Sequence, residues 1–262
     1  FILGFRWGIA GAAAATVLGN LVACAIYLEY ILRRSRTLSL APADALRHPA
    51  RLGRVLALGL PNGVSSLLAG LAGSFSNRML AGYGTAALAA MAAADKATMV
   101  VSLVQMGICM GVQPLLAYNV GARDRPRLQA ALTRLAGLTF GFGAVFMAAC
   151  LLGQNALLGL FLSDAGALAL GRSLLPWLLA ASPLLGLYYL STNFLQAMGR
   201  AAGATVLSAL RQGVLLIPAL YLFHGLLGLP GLAAARAAAD LASVLIALCL
   251  LTHAWRNLAR QR

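Results

Sequence analysis

Asp95 and Lys96 stand side by side in a stretch made otherwise of alanine and other apolar residues. Arg236 and Asp240 lie four apart in a second such stretch, and Arg211 with Gln212 interrupts a third. Charges at membrane depth are expensive, so ionisable groups there are candidates for handling ions or cargo. The four-residue spacing puts Arg236 and Asp240 on one helix face, where they can neutralise each other. Adjacent helical residues point about 100° apart, so Asp95 and Lys96 must each find a separate partner or water. Arg211 lies seven residues before Pro218, and a proline frees backbone carbonyls that a guanidinium can bond.

Neutral polar residues cluster too: Asn77, Gln105 and Gln113, then Tyr188, Tyr189, Ser191, Thr192, Asn193 and Gln196. Such groups join helices by hydrogen bonds or line a wet cavity, and both readings stand at this point. Pro61, Pro114, Pro176, Pro183 and Pro218 interrupt helical runs, as happens where helices bend around a cavity.

Signals of soluble-enzyme chemistry are missing. There is no Walker-type phosphate loop, no HExxH and no plausible Ser-His-Asp set, and His48, His224 and His253 fall in loops or at helix ends. The sequence therefore reads as a non-enzyme, and any transport must draw on an ion gradient or another subunit. Cys24, Cys109, Cys150 and Cys249 all sit in apolar runs without metal-ligand spacing. They read as small packing residues, and no metal site or other cofactor is expected.

The elements that position these groups follow from composition. Hydrophobic residues make up 61% of the 262-residue chain and charged residues only 10%, against about 25% charged in soluble domains. That leaves too little polar surface to face water all round, so the bilayer is the expected solvent. The net charge of +14 does not indicate nucleic acid, because the basic residues sit between long apolar segments rather than on a soluble aromatic-laced face. The runs lack the period-two alternation of barrel strands and are long enough for helices, each needing about 20 apolar residues. The expected fold is an all-α integral membrane protein with seven transmembrane helices, at 8–32, 53–82, 85–118, 127–152, 166–197, 200–223 and 230–255.

Loop charges orient it. Arg33, Arg34, Arg36, Arg47, Arg51 and Arg54 follow the first helix, and Arg123, Arg125 and Arg127 follow the third. Arg200 follows the fifth, and Arg256, Arg260 and Arg262 end the chain, while the opposite loops carry none. Positive charge collects on the cytoplasmic side, which puts the C-terminus inside and Phe1 outside. Seven crossings from an outside start imply a missing front portion. The polar connection at 34–52 reads as a linker with a short amphipathic helix from Ala43. It separates one helix, 1–33, from a six-helix block, 53–262, the size of a half-transporter repeat.

Several segments then resemble the multidrug and toxic compound extrusion (MATE) family. "GVQPLLAYNVGA" at Gly111–Ala122 is similar to that family's G-x-Q-P-x-x-x-Y-N-x-G-A signature at the inner end of a helix. "GLPNG" at Gly59–Gly63 resembles the start of its seventh helix, and "AGYGTAALAAMAAADK" at Ala81–Lys96 its YG-x-x-A-x-A-A pattern. "FLQAMGRA" at Phe194–Ala201 and "LRQGVLLIP" at Leu210–Pro218 resemble its tenth-to-eleventh helix region. "GIAGAAAATVLGN" resembles its sixth helix, and Asp240 falls at an often acidic position of the last. The chain is thus similar to the sixth helix plus the C-terminal lobe of a two-lobed, twelve-helix transporter, nearest the DinF-like bacterial branch.

The resemblance implies efflux of amphipathic, often cationic compounds across the plasma (inner) membrane by alternating-access antiport. Asn77, Asp95, Lys96, Gln105, Asn193 and Asp240 are the candidates to line the cavity. Arg211 and Arg236 are structural or coupling groups, and Gln113, Pro114, Tyr118, Asn119 and Gly121 form a cytoplasmic hinge in which Gly121 permits the turn. The coupling ion is H+ or Na+, with H+ favoured because 60–81 carries no acid where the sodium-coupled branch has a Glu. The first five helices of the family, including an acidic position on the first, have no counterpart in the sequence. The required partners are therefore the bilayer and an N-terminal lobe. The alternatives are a lipid-linked oligosaccharide flippase of the same superfamily and a truncated, non-functional fragment.

Overall fold

The structure, a computed structural model, describes residues 7–33 and 49–260, with side chains from 63 to 256 of the second stretch apart from Ala201. The amphipathic helix expected from Ala43, most of the 34–52 linker, the side chains of 59–62, the Arg260 side chain and Arg262 lie outside the described residues. The chain divides into two compact units, Phe1–Ala57 and Leu58–Arg262.

In the first unit, α1 (Gly8–Arg33) turns apolar side chains such as Leu21, Ile26 and Leu32 outward. A helix so exposed and so apolar has lipid or protein, not water, as its surroundings. It closes on an exposed Glu29–Arg33 pair one turn apart.

The described residues of the second unit form helices joined by short turns. In order come α2 (Pro49–Ala81, entering from the first unit), α3 (Thr85–Gly121), α4 (Arg125–Leu152), the short α5 (Gln154–Gly159), α6 (Ala165–Leu179) and α7 (Ser182–Ala197). Then α8 (Ala201–Ala209) passes through a π-helical turn, Leu210–Leu215, into α9 (Leu216–Leu227), and α10 (Leu229–Arg260) follows. Among the described residues five helices are long and apolar enough to cross a membrane, or six with α6–α7 counted as one bent span. The span expected at 53–82 opens on side chains outside the described set, so that number does not test it.

Local chemistry sets the breaks. Asp124 caps α4 by accepting from the Arg127 amide at 3.1 Å, with Pro126 in the first turn. Asp164 caps α6 by accepting from the Ala167 amide at 2.8 Å. Gly84, between α2 and α3, adopts φ 92°, a conformation in which a Cβ would clash with the backbone.

Three expectations need correction. The single helix expected over 166–197 is two, bent by 42° between α6 and α7. Pro183 forces that break, since it suits the first turn of a new helix but not the interior of an old one. The loop expected at 153–165 contains α5. Third, α3 runs on through Gly121, and the turn falls on Arg123, at φ 56°. There the Asp124 amide donates to the Asn119 carbonyl at 3.1 Å, a helix-ending pattern that needs a left-handed residue one position earlier.

Among the described residues three apolar cores form, two of them built on α3. One packs Ala90, Ala94 and Ala97 of α3 against Leu174 and Leu178 of α6 and Leu232 of α10. The other packs Cys109 and Leu116 of α3 against Leu128 and Leu135 of α4, Phe194 of α7 and Ala254 of α10. A polar belt, Asp95, Thr98, Ser102 and Gln105, runs along α3 from beside the first core toward the second.

Candidate functional site: a cavity with crossed ion pairs

The belt is positioned by α3, α7, α10 and the π turn. Asp95 accepts from Nη1 of Arg236 at 2.5 Å, and Nη2 of Arg236 donates to Oγ of Ser76 on α2 at 3.3 Å. Arg211 donates from Nε to Asp240 at 2.7 Å. Its guanidinium lies over the rings of Tyr188, 4.8 Å from the centroid, and Tyr189, at 5.8 Å. The Tyr188 hydroxyl donates to Ser208 at 3.3 Å. Both pairs cross between helices.

This corrects two expectations. Arg236 and Asp240 do not neutralise each other along α10; each takes a partner on another element. Nor does Arg211 serve carbonyls freed by Pro218. The six-residue π turn before Pro218 carries Arg211, and π turns inside α-helices commonly mark functional positions.

The pairs open on a cavity of about 250 Å³ lined by Asp95, Ser102, Arg211, Gln212, Arg236 and Asp240 among others. An adjoining hollow of about 400 Å³ shares Asp95, Thr98, Ser102 and Arg236 and adds Lys96, Ala92 and Met99. Of the six cavity candidates the structure thus brings together Asp95, Lys96 and Asp240.

The other three lie elsewhere. Gln105 is fully buried, and its amide donates to the carbonyls of Thr139 on α4, at 3.0 Å, and Ser182 on α7, at 2.9 Å. It is a strut behind the cavity rather than part of its lining. Asn193 is buried and donates to the Tyr189 carbonyl of its own helix at 2.8 Å. Asn77 lies on an exposed face of α2, outside both hollows. Among the hinge residues, Gln113 donates to Gln196 across α3 and α7 at 3.3 Å, and buried Asn119 donates to the Leu115 carbonyl at 2.9 Å. Tyr118 is 70% exposed, and α3 continues through Pro114 without a break.

Sequence reasoning misses Ser76 and the roles of Gly143 and Gly186. A Cβ on Gly143 would lie 2.5 Å from the Ser182 carbonyl oxygen and 2.6 Å from Nε2 of Gln105. A Cβ on Gly186 would collide with the Thr139 side chain. These glycines let α4 and α7 approach closely enough for Gln105 to bridge them, and isolated glycines in apolar helices are the only signal the sequence offers for it.

The described residues of the second unit thus form a helical unit with several helices long and apolar enough to cross a membrane, arranged around a charged hollow. The MatE family model matches residues 61–222, and the chain belongs to that family. It is 32% identical over 231 residues to the multidrug export protein MepA of Staphylococcus saprophyticus, covering 88% of this chain and 51% of that protein. MepA of Staphylococcus aureus is 30% identical over 233 residues with the same coverage. The chain thus spans about half the length of the curated relatives it matches. Among solved structures, the bent form of the Vibrio cholerae MATE transporter VcmN superposes with a TM-score of 0.76 at 23% identity, over 98% of this chain and 58% of that one. A MOP superfamily transporter from Pyrococcus furiosus superposes with a TM-score of 0.80 at 20% identity, over 100% and 59%. At these identities the structural likeness speaks for the fold alone.

Proposed function

We propose that this chain supplies one lobe of an exporter that moves amphipathic small molecules, organic cations among them, by cation-coupled antiport with alternating access. Its six-helix block, 53–262, rocks against an N-terminal lobe, with the linker at 34–52 between them. The observation that carries this reading is the cavity between two crossed Arg–Asp pairs in the middle of the lobe. Interhelical pairs that open on a hollow have two arrangements available, made and broken, which is what a coupled step needs. The name of the MepA relatives supports the export of drugs. The absence of an acid in 60–81 supports H+ over Na+, and the loop arginines support an inner-membrane protein with its C-terminus in the cytoplasm. Asp95, Lys96 and Asp240 are the groups we assign to the cavity.

The test is reconstitution of the full-length protein in liposomes. An imposed proton gradient should drive ethidium transport, and a sodium gradient alone should not. Transport with the sodium gradient only would reverse the choice of ion, and no transport with either would sink the exporter reading. The flippase reading keeps one specific support, the three basic residues Lys96, Arg211 and Arg236 around the two hollows.

A further inference from the structure

The sequence has six acidic residues: Glu29, Asp44, Asp95, Asp124, Asp164 and Asp240. In the described part of the second unit each is already engaged. Asp124 and Asp164 cap helices, and Asp95 and Asp240 hold arginines. A cationic group entering the cavity therefore meets carboxylates whose charge is already offset by a guanidinium, and taking one over would leave that arginine without its counter-charge.

The positive side of the site is less occupied. Lys96, the single lysine of the sequence, is exposed on α3 at the edge of the 400 Å³ hollow. Among the described residues no carboxylate pairs with it. The Arg236 guanidinium on the same hollow spends Nη1 on Asp95 and Nη2 on Ser76, which leaves its Nε–H outside those bonds. Ser102 adds a hydroxyl, and Ala92 and Met99 give the hollow an apolar side. Its ionisable lining is two cations against one acid, Asp95, whose Oδ1 already accepts from Arg236.

We propose that the hollow between α3 and α10 is an oxyanion site: Lys96 and Arg236 take a carboxylate or phosphate group, and Ala92 and Met99 contact the apolar body attached to it. The planar guanidinium and the mobile ammonium are complementary for this task, one fixing an oxygen and the other supplying a point charge. The proposal deepens the export reading by naming a cargo group this lobe accepts, and it holds for a small acidic drug or an anionic lipid headgroup alike.

The experiment is equilibrium binding to the full-length protein in uncharged detergent. Dansylglycine, a carboxylate, is titrated beside its neutral analogue dansylglycinamide, with Lys96→Gln and Lys96→Arg as variants. Lys96 is exposed and has no carboxylate partner among the described residues, so neither variant should unfold the protein. Dansylglycine should bind at least tenfold more tightly than the amide; Lys96→Gln should erase most of that preference and Lys96→Arg should keep it. Displacement of the dye by lysophosphatidic acid, but not by lysophosphatidylcholine, assigns a phosphate headgroup as the source, and resistance to both assigns a small carboxylate. Equal binding of the two dyes, or a preference unchanged in Lys96→Gln, overturns the proposal. Ethidium transport by the same preparation separates the two readings: transport without carboxylate preference removes only the oxyanion site, and preference without transport removes only the exporter.

Discussion

Arg236 reaches from α10 to Asp95 on α3, although Asp240 stands one turn further along its own helix. Asp240 instead holds Arg211 from the π turn. The two pairs differ in setting: Arg211 and Asp240 are 18% and 20% exposed, Arg236 and Asp95 27% and 34%. Removing one partner strands a charge, and the penalty grows with burial. Asp240→Asn should therefore destabilise the lobe by about 2–3 kcal/mol, whereas Asp95→Asn, screened by the open hollow, should cost about 1 kcal/mol. Thermal unfolding of each variant in detergent measures the order. A larger loss for Asp95→Asn would show that the hollow is closed in solution.

Gln105 makes a second, independent prediction. Its amide joins α3 to α4 and to the start of α7 from a fully buried position. Gln105→Leu keeps the volume but leaves the Thr139 and Ser182 carbonyls without these donors. The cost should be about 1–3 kcal/mol, with substrate affinity altered only through the shape of the lobe. Gly143→Ala should be worse than Gln105→Leu, because its Cβ meets backbone that cannot move aside. Equal melting temperatures for Gly143→Ala and the parent would show that α4 and α7 are packed less closely than described.

How far the sequence reaches is clear from these same residues. Helix positions are legible because the apolar runs are long and bounded by Gly, Asp and Pro. The charged site is legible too, since ionisable residues in apolar runs are too costly to be incidental. The choice of partner is not. Spacing along one helix favours Arg236 with Asp240, and only the tertiary arrangement, which faces Arg236 across the hollow toward Asp95, decides otherwise. The sequence points Gln105 and Asn193 into the cavity for a related reason. A polar side chain in an apolar helix gives the same local signal whether it bonds a neighbouring carbonyl or faces water.

The α3–α4 turn offers a stabilising test. Arg123 adopts φ 56°, a conformation that costs an L-residue about 1 kcal/mol relative to glycine. Arg123→Gly should leave stability unchanged or raise it by a fraction of that amount, because glycine also gains freedom in the unfolded chain. Asp124→Ala removes the acceptor for the Arg127 amide and should cost about 1 kcal/mol. Opposite signs for these adjacent variants, read as melting temperatures, would confirm that the turn lies at Arg123 rather than at Gly121. A destabilised Arg123→Gly would place the left-handed residue elsewhere.

The last prediction concerns what holds Arg211 over the cavity. The π turn presents its side chain toward α7 and α10, where Tyr188 lies beneath the guanidinium and Asp240 accepts from Nε. Tyr188→Phe keeps the ring face and loses the hydroxyl with its bond to Ser208, so it should cost under about 1 kcal/mol and leave transport near its parent rate. Tyr188→Leu keeps apolar bulk but removes the ring. That change should cost about 1–2 kcal/mol more and lower the transport rate, because Arg211 then has Asp240 and the more distant Tyr189 ring alone to fix it. Measuring both variants for stability and for ethidium transport in liposomes separates ring from hydroxyl. If Tyr188→Phe is as impaired as Tyr188→Leu, the bond to Ser208 rather than the ring positions Arg211.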